Sequence, residues 1–134
     1  MISTDLALAL RDAGLVWRPT SGDRFQLDEP EFEADVFTVS EMTIEPRQYP
    51  TGAILAFNGT TEWALDSVAQ GDALWLPRED QLRELLRGAF RLLERTDDSH
   101  RVEIVFAGER RAFEHPQPED AYALALLHVL RRIA

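Results

Sequence analysis

The sequence predicts an α+β domain in which a mainly antiparallel sheet packs with N-terminal, central and C-terminal helices. Three observations favour this class. Apolar residues recur at helical spacing near both ends and in the middle of the chain, and short alternating or apolar segments typical of strands lie between them. Turn-forming residues separate several neighbouring strands closely enough for hairpins. Because no linker or internal repeat divides the chain, residues 1–134 are predicted to form a single domain.

The composition is that of a folded globular protein. The chain has 134 residues, of which 45% are hydrophobic and 28% are charged, and a chain of this length can bury a sizeable core. It has no cysteine, which excludes disulfides, thiolate metal sites and cysteine nucleophiles. No basic leader precedes an apolar run, and no run approaches the roughly 20 residues that cross a bilayer. A cytoplasmic location without membrane contact is therefore expected.

The first half of the chain combines one helix with several strands. Ser3 or Thr4 can cap the first helix, and Gly14 supplies a left-handed stop after it. Alternating β-branched residues, and then a continuous apolar run, indicate the strands that follow. The elements predicted here are a helix over residues 4–13, strands over 24–27 and 52–57, and a short helix over 60–68. Residues 35–39 and 41–45 are predicted to form either one bent strand or two short ones.

The second half begins with a junction between a strand and a helix. Pro77 is placed at the first helical position, Glu79 and Asp80 lie in the first turn, and Gly88 is expected to terminate the helix. Residues 89–95 have two interpretations, a strand or a continuation of that helix across Gly88. Two further strands, over 100–106 and 110–114, and a final helix that begins near Pro118 complete the predicted order.

The final helix has apolar residues on more than one side. Its main stripe should consist of Tyr122, Ala125, Leu126, Val129, Leu130 and Ile133. Leu124 and Leu127 point away from that stripe. Either the helix is sandwiched within its own domain, or these two leucines form a surface for a partner or for a homodimer.

The negative charge is concentrated in the N-terminal half. The net charge is −10, and every basic residue is an arginine because lysine is absent. Residues 1–76 carry 13 acidic residues against 4 arginines, whereas residues 77–134 carry 11 against 10. Because an acidic field repels phosphate backbones, nucleic acid is not expected as a partner. A basic protein is the better electrostatic match.

The densest acidic cluster consists of Asp28, Glu29, Glu31, Glu33 and Asp35. It lacks the alternating acids and the central glycine of a calcium-binding loop. Two interpretations fit the cluster, a solvated connection between strands or a surface that binds the arginines or lysines of a partner. We therefore place these five residues among the candidate partner-binding residues, together with Leu124 and Leu127.

Motifs that carry catalysis or bind a cofactor are missing from the sequence. The glycines are scattered, and a phosphate-binding loop of the Gly-Lys-Ser/Thr type cannot exist without lysine. His100, His115 and His128 are isolated, so no pair has the helical spacing of a metal site. No Gly-x-Ser-x-Gly motif supports a catalytic serine. The sequence therefore assigns no catalytic, metal-binding or cofactor-binding residue, and no cofactor.

Several segments resemble a known group of proteins. The stretches 57–68 and 74–86, the opening Asp5-Leu6-Ala7 and the Ala-Leu-Leu run of the last helix are similar to an uncharacterised family of small actinobacterial proteins. Some members of that family carry the label of pilus-assembly protein. The pilus-assembly ATPases of that name need a phosphate-binding lysine, which this chain lacks. The resemblance implies no catalytic or binding residues.

Two functional hypotheses follow from these patterns. The leading hypothesis is a non-enzymatic protein-binding or adaptor domain that meets a basic partner through its acidic half or an exposed helix. The alternative is a small-molecule-binding protein or an enzyme with a pocket around Asn58, Trp63 and Trp75. Tryptophans at such positions serve either as core residues or as a surface on which a ligand stacks.

Overall fold

In a computed structural model, the chain forms two compact units. The structure describes residues 1–27, 35–39, 44–49, 52–57, 67–69 and 73–133. Unit 1 consists of Met1–Val16 and Leu76–Ala134, and unit 2 consists of Trp17–Trp75. The α+β class is confirmed, since three helices accompany three small three-stranded sheets in the described part. That residues 1–134 are a single domain stays a prediction.

Unit 1 contains all three helices and one antiparallel sheet. The helices are α1 (Thr4–Asp12), α2 (Glu79–Leu86) and α3 (Pro118–Ile133), and a 3₁₀ turn over Arg87–Ala89 follows α2. The strands are β7 (Phe90–Arg95), β8 (His100–Phe106) and β9 (Glu109–His115), with β8 in the centre. Residues 90–95 therefore form a strand, which decides between the two interpretations of that segment.

The core of unit 1 lies between α3 and the β7–β8–β9 sheet. Val102 and Ile104 of β8 are fully buried, and α3 packs on β8 and β9 as well as on α1 and α2. The outward face of β8 carries Glu103, whose carboxylate lies 3.3 Å from Arg101 and 3.0 Å from Arg110. Period-two alternation thus separates an apolar face from a charged one, as expected for a sheet covered on one side.

The first helix starts and stops where the sequence predicts. Ser3 is the N-cap, and its hydroxyl accepts a hydrogen bond from the Leu6 N–H at 3.3 Å. Gly14 has a φ of 107°, so the stop uses a conformation that favours glycine. The Ser3 N–H donates to Oδ1 of Asp120 at 2.7 Å. Asp120 is 3% exposed, and this partly buried bond ties α1 to the first turn of α3.

The predicted ends of α2 are each wrong by one or two residues. Pro77 is not the first helical residue, because Arg78 is the N-cap and the helix begins at Glu79. The Gln81 side chain accepts a hydrogen bond from the Arg78 N–H at 3.0 Å, which satisfies a donor at the helix start. At the other end the residue with positive φ is Arg87, not Gly88.

Unit 2 contains the remaining strands. They are β1 (Arg24–Leu27), β2 (Phe37–Thr38), β3 (Ile44–Tyr49), β4 (Gly52–Phe57), β5 (Ser67–Ala69) and β6 (Ala73–Leu76), whose last residue belongs to unit 1. They form two sheets, with strand orders β2–β1–β6 and β3–β4–β5. The strand predicted over 41–45 instead runs through Pro46 to Tyr49. Proline is tolerated there because β3 is an edge strand of its sheet.

The helix predicted over residues 60–68 is wrong in its last two positions, which belong to β5. Ser67 pairs with Ala56 and Val68 with Leu55 in antiparallel register. The other residues of that predicted helix lie outside the described part of the chain. Pairing with β4 decides the conformation here, because local helical spacing is a weak signal over so short a segment.

The core of unit 2 is aromatic. Trp17 and Phe25 are buried, and their rings lie 5.4 Å apart. Nε1 of Trp17 donates to Oδ2 of Asp23 at 2.9 Å, and the same oxygen accepts the Thr20 N–H at 3.0 Å. These bonds satisfy a carboxylate that is only 1% exposed.

Within the described ranges, no helix is long and apolar enough to span a membrane.

The same substitution at two glycines tests the backbone assignment of unit 1. A Cβ atom at Gly14 or at Gly88 would enter open space, so only backbone conformation distinguishes the two sites. We expect Gly14→Ala to lower the free energy of unfolding by roughly 1–2 kcal/mol, because alanine is strained at positive φ. Gly88→Ala should raise it by about 0.4–1 kcal/mol by restricting the unfolded chain. Urea denaturation followed by circular dichroism measures both, and equal losses would contradict the assignment.

Candidate functional site

Most of the predicted acidic cluster lies outside the described residues. Asp28, Glu29, Glu31 and Glu33 are in that undescribed part, and so are Asn58 and Trp63 of the predicted pocket. Asp35 is described and is exposed just before β2. The proposed roles of these residues stay predictions.

Trp75 belongs to the aromatic core of unit 2. It is half-buried in β6 and stacks on Trp17, with ring centroids 6.5 Å apart and an interplanar angle of 12°. Its Nε1 atom is buried and has no hydrogen-bond partner among the described residues. Packing explains the position of the ring, and the unpaired N–H is the one feature of Trp75 that a ligand could use.

The leucines of α3 do not form an open surface. Leu127 is 6% exposed and Leu124 is half-buried, so Leu127 is covered within the chain and does not belong to an open surface. The cause is that α3 has the β7–β8–β9 sheet on one side and α1 and α2 on others. The alternative interpretation, a helix sandwiched within its own domain, is the correct one. The predicted main stripe also ends early, since Ile133 is 66% exposed.

The described histidines are engaged with the main chain or with a ring. Nδ1 of His100 lies 3.0 Å from the Pro116 carbonyl oxygen, and Nδ1 of His115 accepts the Gln117 N–H at 3.1 Å. The ring of His128 lies 5.7 Å from that of Phe113. In the part of the chain that the structure describes, no three histidine or acidic side chains are grouped to hold a metal ion.

A concave surface of unit 1 lies where α2 passes into β7. We call it the α2–β7 groove. It consists of two open cavities, of about 280 Å³ and about 590 Å³. The smaller is lined by Glu79, Asp80, Arg83 and Tyr122, and the larger by Arg83, Glu84, Arg87 and Phe90. Arg83 lies on both, so its side chain divides the groove.

Aromatic rings hold Arg83 in that position. Its guanidinium carbon lies 6.0 Å from the centroid of the Phe90 ring, within the range of a cation–π contact. The Phe90 ring in turn lies 5.7 Å from the ring of Tyr122 and is tilted by 31°. Tyr122 is 1% exposed on α3, so this row of three side chains connects the groove to the core.

The charges around the smaller cavity affect two ionisable groups. The Arg78 guanidinium, 3.1 Å from the Asp80 carboxylate, holds the pKa of that carboxyl below its usual value of 3.8. Burial raises the pKa of the Tyr122 phenol above 10.0, and the negative charge of Glu79 adds to this effect, while Arg83 opposes it. Asp80 is therefore a carboxylate and Tyr122 a neutral hydroxyl at neutral pH, which suits binding by charge and hydrogen bonding.

Arg87 has an unusual backbone conformation at the edge of the groove. Its φ is 51° and its ψ is −130°, a region that glycine occupies in turns and that strains residues with a Cβ atom. Its N–H still donates to the Glu84 carbonyl oxygen and so closes the last turn of α2. This conformation turns the chain from α2 toward β7. Because the residue is an arginine and not a glycine, its side chain also lines the larger cavity. Strained residues of this kind often occur at binding sites.

Sequence reasoning identified the junction but none of the residues of the groove. The signal that could have found it is the spacing of four arginines, at positions 83, 87, 91 and 95. Positions 91 and 95 lie beyond α2, where a four-residue spacing no longer places side chains on one face of a helix. The secondary structure therefore does not account for the repeated arginines. When the chain is compared with known protein families, curated proteins and solved structures, none matches it. The resemblance to a family therefore stays a prediction.

Replacing Arg87 with glycine tests whether its backbone is strained. We expect Arg87→Gly to raise the free energy of unfolding by about 1 kcal/mol, because glycine adopts this φ and ψ without steric cost. Arg83→Gly is the matched control. It should lower the stability by roughly 1 kcal/mol, since glycine weakens the interior of α2. Thermal denaturation of both variants measures the difference, and destabilisation by Arg87→Gly would show that the backbone is relaxed there.

The environment of Tyr122 can be measured in isolation. The chain has two tyrosines, so Tyr49→Phe leaves Tyr122 as the only one. The chain has no lysine or cysteine, so neither type of side chain titrates in the same alkaline range. We expect absorbance at 295 nm to give a pKa above 10.0 for the folded protein. The unfolded phenol ionises first, so stability should fall as the pH rises from 10.0 through the folded pKa. Tyr122→Phe should remove that fall, and a midpoint below 10.0 would contradict the assignment.

Proposed function

We propose that this chain is a non-enzymatic protein-binding domain of the cytoplasm, and that unit 2 binds a basic partner protein. One observation carries the proposal, namely that the charge divides along the boundary between the units. Residues 17–75 carry 11 acidic residues and three arginines, a net charge of −8. Unit 1 carries 13 acidic residues and 11 arginines, a net charge of −2. The acidic half predicted from the sequence therefore corresponds closely to a structural unit.

Electrostatics indicate what such a unit would recognise. A field of one sign accelerates association with a partner of the opposite sign, and it disfavours the phosphate backbone of a nucleic acid. Of the acidic residues in unit 2, Asp23 is used internally to satisfy Trp17 and Thr20. The cluster that ends at the exposed Asp35 is the natural contact surface. Lysines and arginines on the partner would supply its counter-charges.

A second candidate function has one observation in its favour. The buried Nε1 of Trp75 has no acceptor among the described residues, and a buried donor without an acceptor costs free energy. A small molecule with an oxygen acceptor beside Trp75 would satisfy it. This supports the alternative of a small-molecule-binding protein with a pocket near Trp75.

A matched pair of triple variants tests the leading proposal. The variant Glu29→Gln/Glu31→Gln/Glu33→Gln removes three charges from unit 2, and Asp12→Asn/Asp97→Asn/Asp98→Asn removes three exposed charges from unit 1. The full chain, immobilised in low salt and exposed to a lysate of the source organism, should retain a basic protein. We expect the first variant to bind that protein about tenfold more weakly, because each surface ion pair contributes up to about 1 kcal/mol.

The control variant should bind as the unaltered chain does, and retention should weaken as salt screens the charges. Three outcomes would contradict the proposal. They are the absence of a reproducible partner, a partner without a basic surface, and an equal loss of binding in both triple variants.

A further inference from the structure

The edge of unit 1 formed by α2 and β7 carries a row of exposed arginines. Arg83, Arg87, Arg91 and Arg95 are all exposed. Among the described residues none of the four pairs with a carboxylate, although acidic residues outnumber basic ones 24 to 14. Other arginines of unit 1 do form such pairs, as Arg110 does with Glu103 at 3.0 Å and Arg132 with Glu109 at 3.7 Å.

The same edge is incompletely covered by apolar packing. Leu92 and Leu93 are each 36% exposed, one on each face of β7. Leu93 pairs with Val102 and Phe90 with Ile104, so both project from the face of the sheet on which α3 lies. Val102 and Ile104 are fully buried, whereas Phe90 is half-buried and Leu93 more exposed. The apolar side chains on this face are therefore less buried at β7 than at β8.

Within the described part of the chain, no strand pairs with the outer side of β7. β7 is an edge strand of its sheet. The Thr96 N–H donates to the Ser99 carbonyl oxygen at 2.8 Å, which makes these two residues a hydrogen-bonded pair. In an antiparallel ladder such pairs alternate, so the main-chain groups of Leu93 and Arg95 point away from β8. Edge groups of this kind accept an additional strand.

The start of β7 is closed to such a strand. The Arg91 guanidinium donates hydrogen bonds to the carbonyl oxygens of Gly88 and Phe90, and the register with β8 shifts between Phe90 and Leu92. An irregularity of this type interrupts pairing locally. The regular part of the edge therefore begins after Arg91 and extends to Arg95, and the α2–β7 groove adjoins its first residues.

We propose that β7 and the α2–β7 groove bind an extended, acidic segment of another protein, which adds to the sheet as a strand beside β7. Its main chain bonds to Leu93 and Arg95. Side chains of the added strand alternate between the two faces of the sheet, so every second residue lies on the α3 side. The three residues on that side are acidic, apolar and acidic in turn. The acidic side chains meet Arg95 at one end and Arg83 and Arg87 at the other, and the apolar one packs on Leu93.

Charge complementarity selects this occupant. The larger cavity of the groove has two arginines and one glutamate, so it favours an anionic side chain. The smaller cavity has Glu79 and Asp80 against Arg83 and does not, so the acidic side chain belongs in the larger cavity. Glu94 does not neutralise Arg95, because Glu94 lies opposite Arg101, with its carboxylate 3.9 Å from that guanidinium. A regular strand that spans the free edge needs about five residues at about 3.3 Å each. The surface is built from residues of unit 1, so the chain would bind a basic partner through unit 2 and an acidic segment through unit 1.

A short peptide with that pattern tests the proposal. The probe is a heptapeptide with glutamate at its second and sixth positions, valine at the fourth and threonine elsewhere, titrated into the ¹⁵N-labelled full chain. We expect amide chemical shifts to change at Leu93 and Arg95 and along α2. Arg95→Glu should weaken binding about tenfold, because it replaces attraction with repulsion. Arg131→Glu, at an exposed arginine on α3 that pairs with no carboxylate among the described residues, should leave binding unchanged.

Several outcomes would overturn the proposal. One is the absence of shift changes up to millimolar peptide, and another is equal binding of a control peptide with lysine in place of glutamate. Shift changes away from β7 and α2, or tighter binding of a single-stranded oligonucleotide, would also overturn it. Arg95→Gln replaces Arg95→Glu if the latter fails to give a folded spectrum. The Glu29/Glu31/Glu33 triple variant should bind the peptide normally, so failure of this proposal and of the proposed function are distinguishable.

Discussion

The burial of α3 on nearly every side is the constraint on which unit 1 depends. Seven of its residues are buried, and they run almost without interruption, as Asp120, Ala121, Tyr122, Ala123, Ala125, Leu126 and Leu127. A helix with one apolar face needs one neighbour, whereas this one needs a sheet and two helices. The alanines let those neighbours approach closely. Asp120 is the polar exception, and it is tolerated because the Ser3 N–H satisfies one of its oxygens.

That constraint also explains the groove. Tyr122 is buried on α3, and its ring supports Phe90, which supports Arg83. The position of an exposed arginine is thus set by a core residue of another helix.

Much of the fold could be predicted because its signals are local. Ser3 and Gly14 bound α1, the prolines before α3 mark its start, and the turns on either side of β8 define two hairpins. Each of these signals depends on residues adjacent in sequence. Where long-range pairing decides, prediction failed, as for Ser67 and Val68, which pair with β4 instead of forming a helix.

The groove could not be predicted for a related reason. Nothing in the identity of Arg87 indicates a positive φ, since glycine is the usual residue in that conformation and Gly88 stands next to it. The burial of Leu127 depends on how many helices and sheets pack around α3. The spacing of apolar residues along the helix does not indicate how many there are. The charge asymmetry, in contrast, is a property of composition. The acidic half read from the sequence, residues 1–76, ends one residue after unit 2 but also includes residues 1–16, which belong to unit 1.

Unit 2 is an insertion within unit 1, because the chain leaves unit 1 after Val16 and returns at Leu76. Its first and last residues, Trp17 and Trp75, stack face to face. Closing a long loop costs conformational entropy that depends on the separation of its ends, and here an aromatic pair fixes that separation. The stacking of Trp17 on Trp75 therefore holds the entry and exit points of unit 2 together and lowers the entropic cost of carrying so long an insertion.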